Sequence, residues 1–221
     1  MKKNSRNKKK SFCEEDFVPV EKCRFCGGTT KKLGIYQKSP LIYHTKCMTC
    51  EAVSYDKILK QEKIPALYSD YAYSSESDSK VTFSNIDRFA NHLLKYCIRF
   101  KKNVRHSRSL KIMDFGGGDG SLSYFFAKKM IHAGLCDKAD IAVIDFEKTI
   151  CKSDSPNITI EHYDNLDLID KEFSFDIIIA SAILEHLPNL REDWNKILMH
   201  FRDEGLMYVR TPYKYPLFNL L

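Results

Sequence analysis

The sequence predicts an α/β protein in which a small metal-binding module precedes a doubly wound parallel sheet. Over the second half of the chain, short apolar runs alternate with helical apolar stripes, as is typical of parallel strands covered by helices on both faces. In the first quarter, four cysteines fall in two pairs, as in small domains held by a metal ion. With 221 residues, 43% of them hydrophobic, the chain is long enough for one such core and a small satellite module.

The net charge of +6 comes from the N-terminal end. Residues 1–10 carry six lysines and arginines and no acid, so the rest of the chain holds 29 basic and 29 acidic residues. We interpret residues 1–16 as a basic, disordered tail, because terminal lysine runs are most often solvated. The alternative is a contact with RNA or with an anionic surface.

No membrane span is predicted, because the longest apolar runs reach only about eight residues where roughly 20 are needed. Three acidic residues follow the lysine-rich residues 1–10, where a secretion signal would be apolar. We therefore expect a soluble, cytoplasmic protein.

The paired cysteines follow the pattern C-x2-C-x20-C-x2-C, formed by Cys23, Cys26, Cys47 and Cys50. Two such turns complete a tetrahedral sulfur shell about 2.3 Å from a zinc ion, which leaves no open position and makes the metal structural. Gly27 and Gly28 follow the first pair, whereas Glu51 follows the second. We place a zinc ribbon at residues 17–57; the alternative is four cysteines without a metal.

After a tyrosine-rich connector at residues 58–82, residues 83–221 are predicted to form the α/β domain. A helical stripe begins at Phe83 and includes Cys97, which we expect in the core. Two later stripes, at 122–130 and 194–201, predict helices that stop at Gly134 and Gly205. The five predicted strands are the apolar runs 110–115, 141–146, 158–162, 175–180 and 206–209.

A glycine turn directly follows the first predicted strand. Glycines let a backbone approach a ligand closely, and the N-terminus of the next helix favours an anionic group such as a carboxylate. A dinucleotide fingerprint would require glycine at position 121, where the chain has serine. The pattern that is present, D-x-G-x-G-x-G, is formed by Asp114, Gly116, Gly118 and Gly120.

This pattern resembles the first motif of the class I S-adenosylmethionine-dependent methyltransferases, which have a Rossmann-like fold. Later segments agree with that family in order: Asp145-Phe146 after the second strand, Asp164 after the third, and residues 175–187 along the fourth. The resemblance implies that Asp145 binds the ribose, Phe146 packs on the adenine, and Asp164 binds its amine. The cofactor site it implies consists of Asp114, Gly116, Gly118, Gly120, Asp145, Phe146, Asp164 and Ser181.

The fourth segment ends in Leu-Glu-His-Leu, as in small-molecule members of the family. His186 is the candidate general base, oriented by Glu185, near the topological switch point of the sheet. The alternative is a structural pair at a helix start. Asp176 is interpreted as structural, and Tyr71 and Tyr73 are candidates for the acceptor side.

The cysteine module and Tyr68, Tyr71 and Tyr73 resemble the zinc-bearing N-terminal part of sugar C-methyltransferases and of surface-polysaccharide methyltransferases. The resemblance implies methyl transfer from S-adenosylmethionine to a small polar acceptor, a sugar or other metabolite, at carbon or oxygen. One alternative is an RNA methyltransferase that uses the zinc module and the tail, against which the neutral body of the chain argues. Another is an inactive cofactor-binding scaffold.

The end of the chain suggests an incomplete sheet. Only nine residues follow Pro212, whereas this class normally adds an antiparallel hairpin after the fifth strand. We expect either a fragment or a partner chain that covers the open sheet edge.

Overall fold

The computed structural model describes residues 12–64, 66, 85–100, 109–146, 150–187 and 189–211. Several predicted features lie outside these ranges: residues 1–11 of the basic tail, the tyrosines at 68, 71 and 73, the helix start at Phe83, and Pro212. The chain divides into two compact units, one of residues 1–79 with 188–191 and one of residues 80–187 with 192–221. We call them the cysteine unit and the α/β unit.

The cysteine unit contains two small antiparallel sheets. In the larger sheet the strand order is β2-β3-β4, and in the smaller one β1 pairs with β5. The strands are β1 (Phe17–Pro19), β2 (Thr30–Lys38), β3 (Leu41–Cys47), β4 (Val53–Tyr55) and β5 (Lys57–Leu59). Within residues 12–64, the buried residues are few: Cys23, Pro40, Ile42, Thr45 and Cys47. Such a core is too small to stabilise the unit by itself.

The α/β unit has a five-stranded parallel sheet in the order β10-β9-β6-β7-β8. Its strands are β6 (Ser109–Phe115), β7 (Lys138–Ile144), β8 (Ile158–Tyr163), β9 (Phe175–Ser181) and β10 (Phe201–Arg210). The chain runs outward from β6 to β8 and then crosses back to β9 on the other side. The topological switch point therefore lies between β6 and β9, and open α/β sheets bind ligands at that point, beyond the carboxyl ends of the strands.

Three helices are described: α1 (Ile86–Arg99), α2 (Ser121–His132) and α3 (Leu190–Met199). Short 3-10 turns occupy Leu166–Leu168 and Leu184–His186. Gly134 follows α2 in the left-handed conformation (φ +66°), so the stop predicted there is confirmed. None of the helices in the described ranges is long and apolar enough to cross a membrane.

The main core lies between one face of the sheet and helices α1 and α2. Cys97 of α1 belongs to it, with 3% of its surface exposed, and burial raises the pKa of its thiol to about 12. Such a buried, protonated thiol is unreactive. Other members of this core are Ala90, Leu93, Ile112, Phe126, Met130, Ile141, Val143, Ile177 and Ile179.

The prediction for the third helix was wrong at its C-terminal end. Helix α3 ends at Met199, and Phe201 instead begins β10, opposite Phe175. Gly205 does not stop a helix; it lies in β10 at a register shift, next to Glu204 in the left-handed region (φ +64°). The apolar spacing fits a helix up to position 201, but pairing with β9 provides more burial and backbone hydrogen bonds.

Candidate functional site

The turn of residues 116–120 connects β6 to α2, and we call it the glycine turn. Gly116, Gly118 and Gly120 all have left-handed backbones, with φ of +70°, +59° and +80°. A Cβ atom at position 116 would lie 2.5 Å from Cγ1 of Ile183, and one at position 120 would lie 2.8 Å from Cγ2 of Val143. Both conformation and space therefore require glycine here.

Side chains in and after the glycine turn fix the start of α2. The Asp119 carboxylate accepts the backbone N–H of Ser121 (2.9 Å) and its hydroxyl (2.7 Å). The buried hydroxyl of Ser123 donates to the carbonyl of Gly120 (3.0 Å). These short-range bonds hold the turn in one conformation.

Asp145 directly follows β7, and its Oδ2 accepts the N–H of Gly118 at 2.8 Å. Two residues that the sequence assigned to one site, 27 positions apart, are thus in contact. The neighbouring Phe146 has 72% of its surface exposed, the largest such fraction among the described large apolar residues. An aromatic ring of this exposure beside a turn that requires glycine offers an apolar surface for a ligand.

Several polar atoms of the α/β unit are buried without a hydrogen-bond partner among the described residues, and they lie in one region. They are Oδ2 of Asp114, both ring nitrogens of His162, Oγ of Ser181 and Oε2 of Glu185. Each residue lies near the carboxyl end of a strand or closely follows it. Because an unpaired buried polar atom costs about 1–3 kcal/mol, such groups are rare without a reason. Their concentration at the carboxyl ends of the strands indicates a binding site for a polar ligand.

The strand register explains why Asp114 and His162 belong to the same region. Asp114 is aligned with Val143, and Val143 is aligned with His162. Aligned residues of neighbouring strands point to the same face of a sheet, so both side chains lie on the face that α2 covers. Sequence reasoning missed His162; its one signal was a histidine two positions after Ile160 in an alternating strand.

Asp114 is the most buried acid of this region, with 2% of its surface exposed. Burial raises the pKa of its carboxyl to about 6, and the charges of Asp145 and Asp119 act in the same direction. Contacts with Ser123 oppose the shift. A cationic ligand at this edge would favour the ionised carboxylate.

The segment after β9 holds the candidate base. Ala182 has a left-handed backbone (φ +58°), unusual for a non-glycine residue, and its N–H donates to the carbonyl of Arg210 at 2.7 Å. His186 has 44% of its side chain exposed, so its ring is accessible. Its Nε2 lies 3.8 Å from Oε1 of Glu185, which is too long for a hydrogen bond. Glu185 is therefore adjacent to the ring without fixing it through that atom.

Two other acids singled out in the sequence, Asp164 and Asp176, differ from Asp114 and Asp145 in their surroundings. Asp164 follows β8 and is exposed. Asp176, at the opposite end of the sheet, accepts the N–H of Lys111 at 2.9 Å and pairs with Arg202, which agrees with a structural role.

The four cysteines of the predicted zinc ribbon converge in the cysteine unit. Sγ of Cys23 lies 3.6 Å from Sγ of Cys50, Sγ of Cys26 lies 3.5 Å from Sγ of Cys47, and all four sulfurs lie within 4.8 Å of one another. A tetrahedral zinc site with bonds of about 2.3 Å has sulfurs roughly 3.8 Å apart. The two pair distances are close to this value, so the four sulfurs are grouped as a zinc site requires.

Backbone amides surround one of these sulfurs. Cys50 and Thr49 donate their N–H groups to Sγ of Cys47, at 3.4 Å and 3.3 Å. These bonds lower the pKa of the Cys47 thiol to about 6, against the effect of burial. Glu51 follows the second cysteine pair, where glycines follow the first pair. It adopts a left-handed backbone (φ 61°) and pairs with Lys46. The turn after the second cysteine pair therefore has a left-handed residue although that residue is a glutamate.

The α/β unit thus has a Rossmann-like parallel sheet whose candidate ligand site lies at the carboxyl ends of the strands. Residues 113–207, which run from β6 into β10, match the family model Methyltransf_12, described as a methyltransferase domain. The α/β unit is therefore similar to methyltransferase domains over these residues.

A malonyl-[acyl-carrier protein] O-methyltransferase of Bacillus cereus is 22% identical over 134 residues, which are 58% of this chain and 46% of that protein. The chain thus spans about half the length of this curated relative. Among solved structures, the S-adenosylmethionine-bound amino pentose methyltransferase CalS10 from Micromonospora echinaspora is 13% identical, over 58% of this chain and 52% of that one, with a TM-score of 0.43. An S-adenosylmethionine-dependent methyltransferase from Clostridium acetobutylicum is 11% identical, over 64% and 56%, with a TM-score of 0.41.

Proposed function

We propose that the α/β unit binds S-adenosylmethionine at the carboxyl ends of β6, β7 and β8 and transfers its methyl group to a small polar acceptor. One observation carries this proposal: buried polar atoms without partners gather at the strand ends, beside a turn whose backbone requires glycine. The similarity of residues 113–207 to methyltransferase domains supports it.

The residues suit the charge and shape of this cofactor. S-adenosylmethionine carries a sulfonium, an ammonium and one carboxylate, so it has a net positive charge. Asp114, Asp119 and Asp145 give this part of the site a negative character. The N-terminus of α2 would hold the carboxylate, Asp145 the ribose hydroxyls, and Phe146 one face of the adenine.

The bound cofactor supplies an electrophilic methyl carbon on a positively charged sulfur. An acceptor held beside it would form the new bond with its own lone pair, and the bonding pair of the broken carbon–sulfur bond would remain on sulfur. A carbon or oxygen acceptor also loses a proton. The accessible ring of His186 would take this proton at Nε2 or Nδ1, and the neighbouring Glu185 would stabilise the resulting imidazolium.

The cysteine unit is proposed to hold one structural zinc ion through Cys23, Cys26, Cys47 and Cys50. The convergence of the four sulfurs within 4.8 Å of one another supports this proposal. With four protein ligands the ion has no open position, so it takes no part in the methyl transfer.

The cofactor site is tested by titrating S-adenosylhomocysteine into the full chain in a calorimeter. Asp145→Asn removes the charge that would accept the ribose hydroxyls, and we expect affinity to fall by about 10- to 100-fold, since hydrogen bonds to charged groups contribute about 1.5–3 kcal/mol.

Asp140→Asn is the matched control. Asp140 lies on the same strand at its amino end, where it accepts the hydroxyls of Ser109 (2.8 Å) and Thr159 (2.6 Å). This variant should bind S-adenosylhomocysteine like the wild type even if its stability falls. Equal affinities of the two variants would show that the pocket lies elsewhere.

A further inference from the structure

We infer that the acceptor carries an anionic group, a carboxylate or a phosphate, and that Arg210 recognises it. This inference rests on the proposed function and specifies its substrate class. Charge is distributed unevenly along the carboxyl ends of the strands.

Acidic side chains occupy the side of the sheet where the cofactor is proposed to bind. Asp114 and Asp119 flank the end of β6, Asp145 follows β7 and Asp164 follows β8. At the opposite edge, Arg210 ends β10. Among the described residues that end or directly follow the five strands, Arg210 is the one lysine or arginine. The site thus has an acidic side for a cationic cofactor, whereas its other side holds Arg210 together with Glu185, the acid beside His186.

The register brings Arg210 next to the segment that holds the candidate base. Arg210 is aligned with Ser181, so the two side chains point to the same face of the sheet. Ser181 Oγ is one of the buried atoms without a hydrogen-bond partner in the described part of the chain. The Arg210 carbonyl also accepts the N–H of Ala182, four residues before His186. A group bound by Arg210 would therefore lie on the acceptor side of the sheet.

The arginine side chain is held by an aromatic ring. The guanidinium carbon of Arg210 lies 4.9 Å from the centroid of Phe89 in α1. Such a contact restricts the guanidinium, and a planar guanidinium has the donor geometry to bind a carboxylate or phosphate through paired N–H groups. Lysine would keep the charge but lose both the stacking and the paired donors.

The carboxylate of the cofactor is a second possible source of the anionic group. We assign Arg210 to the acceptor because the N-terminus of α2 and the glycine turn already offer backbone N–H groups next to the acidic side of the site. In addition, strands β9 and β6 lie between β10, which ends in Arg210, and β7, after which Asp145 is proposed to bind the ribose.

The test uses malonate and inorganic phosphate as probes, titrated calorimetrically into the full chain saturated with S-adenosylhomocysteine. Arg210→Ala should weaken binding of the better probe at least tenfold, and Arg210→Lys should recover only part of it. Arg99→Ala, which removes the same charge from the last turn of α1, should leave probe binding within twofold of wild type. Thermal melting of each variant checks that the α/β unit remains folded, and Arg210→Lys serves as the probe variant if Arg210→Ala does not fold.

Comparison of S-adenosylhomocysteine with methylthioadenosine, which lacks the amino-acid end, identifies the source of the anion. If Arg210 serves the acceptor, Arg210→Ala should leave both nucleoside affinities unchanged. A selective loss of S-adenosylhomocysteine affinity would assign Arg210 to the cofactor carboxylate and overturn the inference. Unchanged probe binding in both Arg210 variants, or no probe binding by the wild type, would also overturn it. Failure of the wild type to bind S-adenosylhomocysteine would instead refute the proposed function.

Discussion

The energetic cost of this site to the stability of the fold is clearest at Asp114. Its carboxyl has a pKa of about 6 in the folded protein, against 3.8 ordinarily, because it is buried. Between pH 3.8 and 6, the folded protein keeps a proton that the unfolded chain has released. Stability therefore falls as pH rises through this window, by up to about 3 kcal/mol above pH 6.

Asp114→Asn should remove this dependence, because the amide does not ionise. The variant's free energy of unfolding, relative to wild type, should increase from pH 4 to pH 7 by up to about 3 kcal/mol. Urea unfolding followed through Trp194, the one tryptophan of the chain, measures this difference. A difference that stays constant with pH would show that Asp114 titrates normally.

At the scale of single elements, the sequence located the parallel strands because each contains apolar residues in a short run or in alternation. It also located the glycine turn, whose residues are adjacent in the chain. It did not identify His162 or Arg210, because their positions depend on alignment with strands far away in sequence: His162 with Val143, and Arg210 with Ser181. The error at Phe201 has the same origin, since local spacing fits a helix whereas the pairing with Phe175 is long-range.

A substitution in the short turn after β9, Leu184–His186, should distinguish an effect on catalysis from an effect on cofactor binding. His186→Ala should lower turnover by roughly 10²- to 10⁴-fold, because a base is needed only as the proton leaves the acceptor. The affinity for S-adenosylhomocysteine should remain within about threefold of wild type. The measurement follows S-adenosylhomocysteine formation against pH, with an acceptor identified by the mass of a co-purified ligand.

His132→Ala, at the exposed end of α2, is the control for that experiment and should behave like the wild type. If turnover per folded molecule of His186→Ala stays within about threefold, His186 is structural. A nitrogen acceptor, which can attack without losing a proton first, would then be the better substrate class.

For the whole molecule, the two units should depend on different sources of stability. The α/β unit buries a large apolar core, whereas residues 12–64 bury few side chains and bring four sulfurs together. Zinc contributes about 10–16 kcal/mol to the folding of small zinc-binding peptides, far more than so small a core provides. Loss of the metal should therefore unfold the cysteine unit alone.

Cys47→Ser tests this dependence, because it removes the sulfur that accepts two backbone N–H groups. Wild-type protein purified without chelator should contain about one zinc per chain, and the variant should contain none. Hydrogen exchange of β2, β3 and β4 should become fast in the variant, while the unfolding midpoint reported by Trp194 and the affinity for S-adenosylhomocysteine stay close to wild type. Cys151→Ser, outside the four-sulfur cluster, should change neither zinc content nor exchange. Protein that contains no zinc, or strands β2 to β4 that remain protected in Cys47→Ser, would show that the cysteine unit folds without the ion.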